Sequence, residues 1–269
     1  MNELHEKQKK LHNMLRDMGS AAVAFSAGVD STYLLKTAHD TLGDGALAIT
    51  AVNGTFHEKE LHEAENFCRS ENIRLIKVKA DVFSIDGFRS NPPDRCYHCK
   101  KELFRRIKSV AFEHGVNNVI EGSNLDDAGD YRPGMRAIAE LGVRSPLKEA
   151  GLTKSDIRAL SKGLSLKTWD KPSFACLATR IAYGESITEE KIAMIGEAEE
   201  YIASLGFRQY RVRTQNGEAR IELLPEDIER FLSGEVRENV RKRFHALGFR
   251  FVSLDLDGYR TGSMNAVLD

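Results

Sequence analysis

Hydrophobic positions along the chain change period several times, and each change marks an element. Leu4, Leu11, Met14, Leu15 and Met18 recur at helical spacing over residues 3–18. Gly19-Ser20 closes that helix, and the unbroken apolar run Ala22-Val23-Ala24-Phe25 follows as a buried strand. Small and polar residues end the strand, and an amphipathic segment with Tyr33, Leu34 and Leu35 runs to Thr41-Leu42-Gly43, so this region reads as strand, turn, helix. A second buried strand, Ala46 to Val52, stops at Asn53-Gly54. A helix over 57–71 places Leu61, Ala64, Phe67 and Cys68 on one face, and Ile73 to Val78 is a third strand. This β-α-β-α-β order predicts a parallel sheet covered by helices on both faces, with ligands outside the carboxyl ends of the strands.

The pattern then loosens. A polar stretch over 79–95 ends in Asn91-Pro92-Pro93-Asp94-Arg95, and a helix opens at Cys96-Tyr97-His98-Cys99 and continues through Leu103, Phe104, Ile107, Val110 and Ala111. Asn117 to Glu121 is a fourth strand, followed by a long acidic, glycine-rich loop. Thr153-Lys154-Ser155-Asp156 reads as a helix start with Leu160 on the buried side. No period fits Trp169 to Arg180, which reads as a loop. From Ser186 the organisation changes. Ser186-Ile187-Thr188-Glu189 has the pattern of a capping box for a helix to Leu205-Gly206. Asn216-Gly217 joins two short strands in a hairpin, and helices around Ile228, Phe231, Val240 and Phe244 precede a last strand, Arg250 to Leu256. The boundary between a larger α/β domain, 1–183, and a smaller α+β domain, 184–269, falls near Tyr183-Gly184.

Composition narrows the possibilities. The 269 residues are 41% hydrophobic and 29% charged, so the chain is long and apolar enough to bury a sizeable core. A net charge of −1 gives no global electrostatic case for gripping nucleic acid. No apolar run approaches the length of a membrane span, and the charged, amphipathic N-terminus lacks the apolar core of a signal peptide, so the expected location is the cytoplasm. Four cysteines in that compartment read as ligands, catalysts or core residues.

Three regions carry candidate chemistry. In Ser26-Ala27-Gly28-Val29-Asp30-Ser31 the free N–H groups of a helix start, a glycine and two hydroxyls make a phosphate cradle. The spacing G-x-x-x-x-G-K-[ST] and its lysine are absent, and an ordinary strand-to-helix turn is the alternative. Asp126, Asp127 and Asp130 in the acidic loop suit magnesium, or merely a solvated turn. Cys96 and Cys99 form a C-x-x-C at a helix N-terminus, where the thiolate is favoured. Two ligands do not complete a metal site, and Cys176 is the candidate third. An iron–sulfur cluster, a zinc site that includes His98, and a thiol–disulfide pair all remain open. Cys68, on an apolar helix face, reads as core. Arg211 and Arg213 alternate on one strand and share a face, which suits a phosphate or carboxylate, or else a salt-bridged sheet.

The Ser26–Ser31 turn resembles the S-G-G-x-D-S loop of the PP-loop ATP pyrophosphatases, with Ala27 in place of the first glycine. If that position needs a positive φ, alanine there is costly. Over nearly the whole chain the sequence resembles the LarE family of ATP-dependent sulfur transferases. The markers are that turn, Asp130-Tyr131-Arg132-Pro133-Gly134, Cys176 with Arg180, Arg211-Val212-Arg213, Ala219 to Leu223, and Gly258 to Asn265. The resemblance implies an adenine nucleotide alpha hydrolase-like sheet. ATP would lie on Ser26, Gly28, Val29, Asp30 and Ser31, and magnesium on Asp30 and Asp127. Arg180, Arg211, Arg213 and Arg260 would hold the phosphate of a pyridinium dicarboxylate mononucleotide. The implied reaction adenylates a carboxylate and replaces AMP with sulfur, in the making of the nickel-pincer nucleotide cofactor. Some members sacrifice the cysteine that matches Cys176. The three-cysteine type, which this chain resembles, implies a 4Fe-4S cluster on Cys96, Cys99 and Cys176. A homo-oligomer, of hexamer size, is also implied, with no nucleic acid or membrane partner. Two other functions compete with this one: a PP-loop tRNA thiolation enzyme, which needs a basic surface, and a non-catalytic ATP-binding module stapled by zinc.

Overall fold

The computed structural model describes residues 3–55, 58–129 and 133–267. Asp130, Tyr131 and Arg132, named above as an acidic-loop candidate and part of a family marker, lie outside the described residues. The chain divides into two compact units, one built from 1–82 with 96–174 and the other from 83–95 with 175–269. The division therefore falls after Phe174 rather than at Tyr183-Gly184, and thirteen residues of the polar stretch before Cys96 belong with the C-terminal part.

In the first unit the elements follow the expected alternation. Helix α1 (Glu3–Met18) leads to β1 (Ala21–Ala24), α2 (Val29–Leu42), β2 (Ala46–Val52), α3 (Glu58–Ser70), β3 (Arg74–Lys79), α4 (Arg95–Glu113) and β4 (Val119–Ile120). Short helices α5 (Pro133–Glu140) and α6 (Pro146–Glu149) and the helix α7 (Lys154–Gly163) complete it. The strands pair in parallel in the order β3-β2-β1-β4. Alternate side chains feed two cores. Ala21, Val23, Ala46 and Ala48 join Leu11, Leu15, Tyr33 and Leu34 on one face. Ala22, Leu47, Ile49 and Val119 join Phe104, Ile107 and Ile138 on the other. Helices on both faces follow from this alternation, because each sheet face is apolar and must be covered. Cys68 lies in the first of these cores at 2% exposure, and burial pushes its thiol up to about 12, which makes it an inert core residue.

The strand order reverses direction between β1 and β4, which makes that crevice the switch point where open α/β sheets bind ligands. The β1–α2 turn enters it through Ala27, whose φ is +54°. The position does need the left-handed conformation, and alanine adopts it there. From β4, Gly122 comes so close to α2 that a Cβ added to it would sit 3.0 Å from the Ser31 nitrogen.

The second unit is smaller. Helix α8 (Glu189–Ser204) precedes β5 (Tyr210–Gln215) and β6 (Glu218–Leu223), an antiparallel pair joined by Asn216-Gly217. Both turn residues have positive φ, +52° and +82°, as the tight hairpin requires. After α9 (Pro225–Phe231) and α10 (Gly234–Leu247), β7 (Phe251–Leu254) returns parallel to β6 at the sheet edge. The expected capping box is displaced: Thr188, not Ser186, caps α8 by accepting from the Lys191 amide. The cause is Ile187, which is fully buried and whose amide donates to the Arg89 carbonyl, so 186–187 run on as extended chain.

A buried ion pair sits inside this unit. Both Arg180 and Glu199 have no exposed side-chain surface, and the guanidinium donates through Nε and Nη2 to the two carboxylate oxygens at 2.8 and 3.0 Å. Glu199 also accepts the Val212 amide of β5 at 3.0 Å.

These contacts set three outcomes for urea unfolding. Ala27→Gly relieves about 1 kcal/mol of left-handed strain, offset in part by a more flexible unfolded chain, and raises stability slightly. Gly122→Ala forces backbone against backbone and lowers stability by about 1–3 kcal/mol. Glu199→Ala leaves a buried guanidinium without its counter-charge and lowers stability by about 3–5 kcal/mol.

Candidate functional site

At the first unit's switch point the phosphate turn is ordered by its own hydroxyls. Ser26 and Ser31 share a hydrogen bond at 3.0 Å, the Ser26 amide donates to the Ser31 hydroxyl, and Ser31 donates to the Gly28 carbonyl. Gly28 is the N-cap of α2 with extended backbone, and no side chain caps the helix. The first-turn amides of Val29, Asp30 and Ser31 therefore form an uncapped helix start, the arrangement that receives phosphate.

Asp30 faces a lysine that the sequence pattern does not single out as a site residue. Lys154, the first residue of α7, places its ammonium 2.5 Å from one carboxylate oxygen of Asp30, and Asn124 donates to the other at 3.3 Å. The Lys154 amide donates to Asp126, and the Asn124 amide donates to Asp127. Asp126 and Asp127 thus each fix part of the loop after β4, and Asp127 lies in the same network as Asp30. A second lysine, Lys171, donates to the Ala27 carbonyl at 3.0 Å and to Glu63 at 2.6 Å. Thr153, with its reciprocal Asp156 contact, marks the start of α7 in the sequence, but the partner of Lys154 lies 124 residues away and leaves no local signal.

Cys96 and Cys99 occupy the first turn of α4, both half-buried and neither in a disulfide. Tyr97, between them, is tied to α5: its hydroxyl donates to Glu140, and Arg136 stacks on its ring at 4.0 Å. The pair is suited to metal binding by residue type and helix position, as two cysteine side chains on an i, i+3 face at a positive helix end. Among the described residues, no group of three or more His, Cys, Asp or Glu side chains gathers as a metal site.

In the second unit, Cys176 is half-buried, free of disulfide, and precedes a single helical turn over 177–180. Its carbonyl accepts the Thr179 amide and hydroxyl and one Arg180 nitrogen. Arg180, assigned by resemblance to substrate phosphate, has other work here. Besides Glu199, its guanidinium donates to the carbonyls of Ala175 and Cys176 and to the Thr179 hydroxyl, with no exposed surface. It holds the loop that carries Cys176.

Arg213 pairs bidentately with Glu222 at 3.0 Å, and also donates to the Thr179 carbonyl and to Ser263. For this arginine the salt-bridged sheet is what the fold contains. Arg260 is half-exposed and pairs with Asp257 at 2.9 Å. Arg211 is 3% exposed, donates to the Tyr210 carbonyl and stacks on Tyr259. Burial, and next the charge of Arg180, push its guanidinium down to about 10, so it remains charged at neutral pH under electrostatic stress. An open polar recess of about 530 Å³ in the same unit includes Glu185 and Lys191, but these pair with each other and none of the expected site residues lines it. No helix among the described residues is long and apolar enough to cross a membrane.

No protein-family model matches the chain. An uncharacterised protein of Synechocystis is 41% identical over 98% of this chain and 99% of its own length. The pyridinium-3,5-bisthiocarboxylic acid mononucleotide synthase of Lactiplantibacillus plantarum is 38% identical over 100% of this chain and 97% of its own. One subunit of the glutamine-hydrolysing GMP synthase of Archaeoglobus fulgidus is 27% identical over 72% of this chain and 67% of its own, in keeping with a PP-loop sheet. With a phosphate turn at the switch point and a full-length relative of that identity, the chain belongs to the LarE family of PP-loop ATP pyrophosphatases.

Proposed function

We propose that this chain is an ATP-dependent sulfur transferase that converts a carboxylate of pyridinium-3,5-biscarboxylic acid mononucleotide into a thiocarboxylate. The observation that carries the reading is the 38% identity to the named synthase over the full chain. The uncapped α2 start and the half-buried Cys176 supply the two chemistries the reaction needs.

Ser26, Gly28, Val29, Asp30 and Ser31 take the ATP phosphates. Asp30 and Asp127 are the residues that would hold magnesium, which would neutralise charge on the phosphates. A substrate carboxylate oxygen attacks the α-phosphorus. The bond from that phosphorus to the bridging oxygen breaks, and pyrophosphate leaves with the electron pair. A sulfur nucleophile then adds to the acyl carbon, the acyl carbon–oxygen bond breaks, and AMP leaves. Arg211, Arg213 and Arg260 are the candidates for the substrate phosphate. An anion beside Arg211 would offset the burial that lowers its pKa. Arg180 is left out of this set because its side chain has no exposed surface, whereas that of Arg213 is 9% exposed.

Cys96, Cys99 and Cys176 are the residues that would hold a 4Fe-4S cluster, which would supply exchangeable sulfide. The same reading includes a cytoplasmic homo-oligomer that binds neither nucleic acid nor membrane. The sheet edge at β7 supports self-association through Phe251, 68% exposed, and nearby Leu256, 90% exposed.

Anaerobic purification with iron, sulfide and zinc analysis tests the cluster directly. About four irons and four acid-labile sulfides per chain are expected, and Cys96→Ala loses them. An iron-free protein that still forms thiocarboxylate, with Cys176 losing the elements of hydrogen sulfide, assigns the sulfur to Cys176 itself. Zinc with no pyrophosphate release favours the zinc-stapled module, and thiolation of tRNA favours the RNA enzyme. Arg211→Ala is expected to raise the KM for the mononucleotide about 10–100-fold with the KM for ATP unchanged, measured by pyrophosphate release.

A further inference from the structure

The segment Asn91-Pro92-Pro93-Asp94-Arg95 has no part in the function above, yet it is built at some cost. Asn91 is fully buried and holds a left-handed backbone, φ +53°. Its Nδ2 donates to the carbonyls of Ile181 and Ala182 at 3.2 and 2.8 Å, and its own carbonyl accepts the Gly184 amide. Arg95 is 3% exposed and donates through Nη1 to the Asn91 side chain and to the Ala178 carbonyl. Two prolines limit the backbone between them, and the Arg95 amide closes a turn onto the Pro92 carbonyl.

The carbonyls at 178, 181 and 182 that the side chains of Asn91 and Arg95 reach belong to one loop. From outside the loop, Asn91 and Arg95 hold Ala178, Ile181 and Ala182. Arg213 holds Thr179, and Arg180 holds Ala175 and Cys176. Six carbonyls between 175 and 182 therefore accept from side chains. Irregular buried backbone needs such partners. Three guanidiniums gathered on an eight-residue loop are more than a surface turn requires. Its second residue is Cys176, two positions before Ala178.

We propose that Asn91 and Arg95 are positioning residues that fix the Cys176 loop for the sulfur-transfer step. The proposal rests on the sulfur-transferase reading given above. Attack on an acyl carbon demands a near-attack distance of about 3–3.5 Å, and a misplacement of about 1 Å can lower the rate about 100-fold. Adenylation uses the phosphate turn of the other unit and makes no demand on these two side chains.

The test uses the full-length enzyme with Asn91→Gly, Arg95→Met and Arg95→Lys. Glycine keeps the left-handed backbone at no strain and removes only the side-chain bonds. Pyrophosphate and thiocarboxylate are measured in the same reaction, with the thermal midpoint beside them. The pH profile of iodoacetamide alkylation at Cys176 is followed by peptide mass in metal-free protein. The expected result is pyrophosphate release with a KM for ATP near that of the unaltered enzyme, while thiocarboxylate per pyrophosphate falls about 10–100-fold in Asn91→Gly and Arg95→Met. Arg95→Lys restores part of it, and the alkylation profile of Cys176 shifts in the two deletions. An unchanged product ratio overturns the proposal, as does a parallel fall of both products with a collapsed melting transition. If the unaltered enzyme forms no thiocarboxylate, the sulfur-transferase reading fails. The alkylation profile alone then decides, and an unchanged profile in both deletions overturns the positioning role.

Discussion

The second unit depends on one interaction, the ion pair of Arg180 with Glu199. Two charges with no exposed surface are tolerated only when each donor and lone pair finds a partner. Arg180 answers with Glu199 on one edge and loop carbonyls on the other, and Glu199 answers with the Val212 amide. One pair thereby joins the 175–182 loop, α8 and β5. The irregular path of the loop follows from this demand, since no helix or strand would turn those carbonyls toward a guanidinium. Arg213 and Glu222 repeat the arrangement next to it, with Ser263 donating to Glu222 as well. Arg211 lies on the same strand as Arg213, and its pKa is depressed first by burial and then by the charge of Arg180.

The first unit works by a different constraint, the close approach of two loops at a sheet's switch point. Gly122 lets the end of β4 lie against the backbone of Asp30 and Ser31. That contact brings Asn124 and Lys154 to the Asp30 carboxylate. Lys171 steadies the other side of the turn through the Ala27 carbonyl. The uncapped helix start is thus held in shape by neighbours, and its amides remain directed at the crevice.

Most of the fold was legible because burial writes a period into the chain. The runs at 22–25 and 46–52, the Asn216-Gly217 turn and the Thr153 cap all appear in the structure where the pattern puts them. The displaced cap of α8 shows the limit of that reading. Ser186 and Thr188 are equally good caps locally, and the choice was made by Ile187 pairing with residue 89. The site was legible where a motif is contiguous, as at Ser26–Ser31. It was not where a side chain's partner is remote. Lys154, Lys171, Asn91, Arg95 and Glu199 carry no local mark, and the role of Arg180 could not be told from its sequence neighbours.

The membership of residues 83–95 in the second unit has a consequence for how the protein is made. Asn91 and its partners at 181 and 182 are separated by 90 and 91 residues. At about 5–20 residues per second, ribosomal synthesis leaves that asparagine waiting roughly 5–20 s for its partners to be made. During that interval the first unit can acquire its sheet, since β1 to β3 are already made and β4 follows before residue 181, while the Asn91 side chain still lacks its partners. The second unit is therefore completed by capturing an early piece of chain late, through non-local contacts that span 90 and 91 residues.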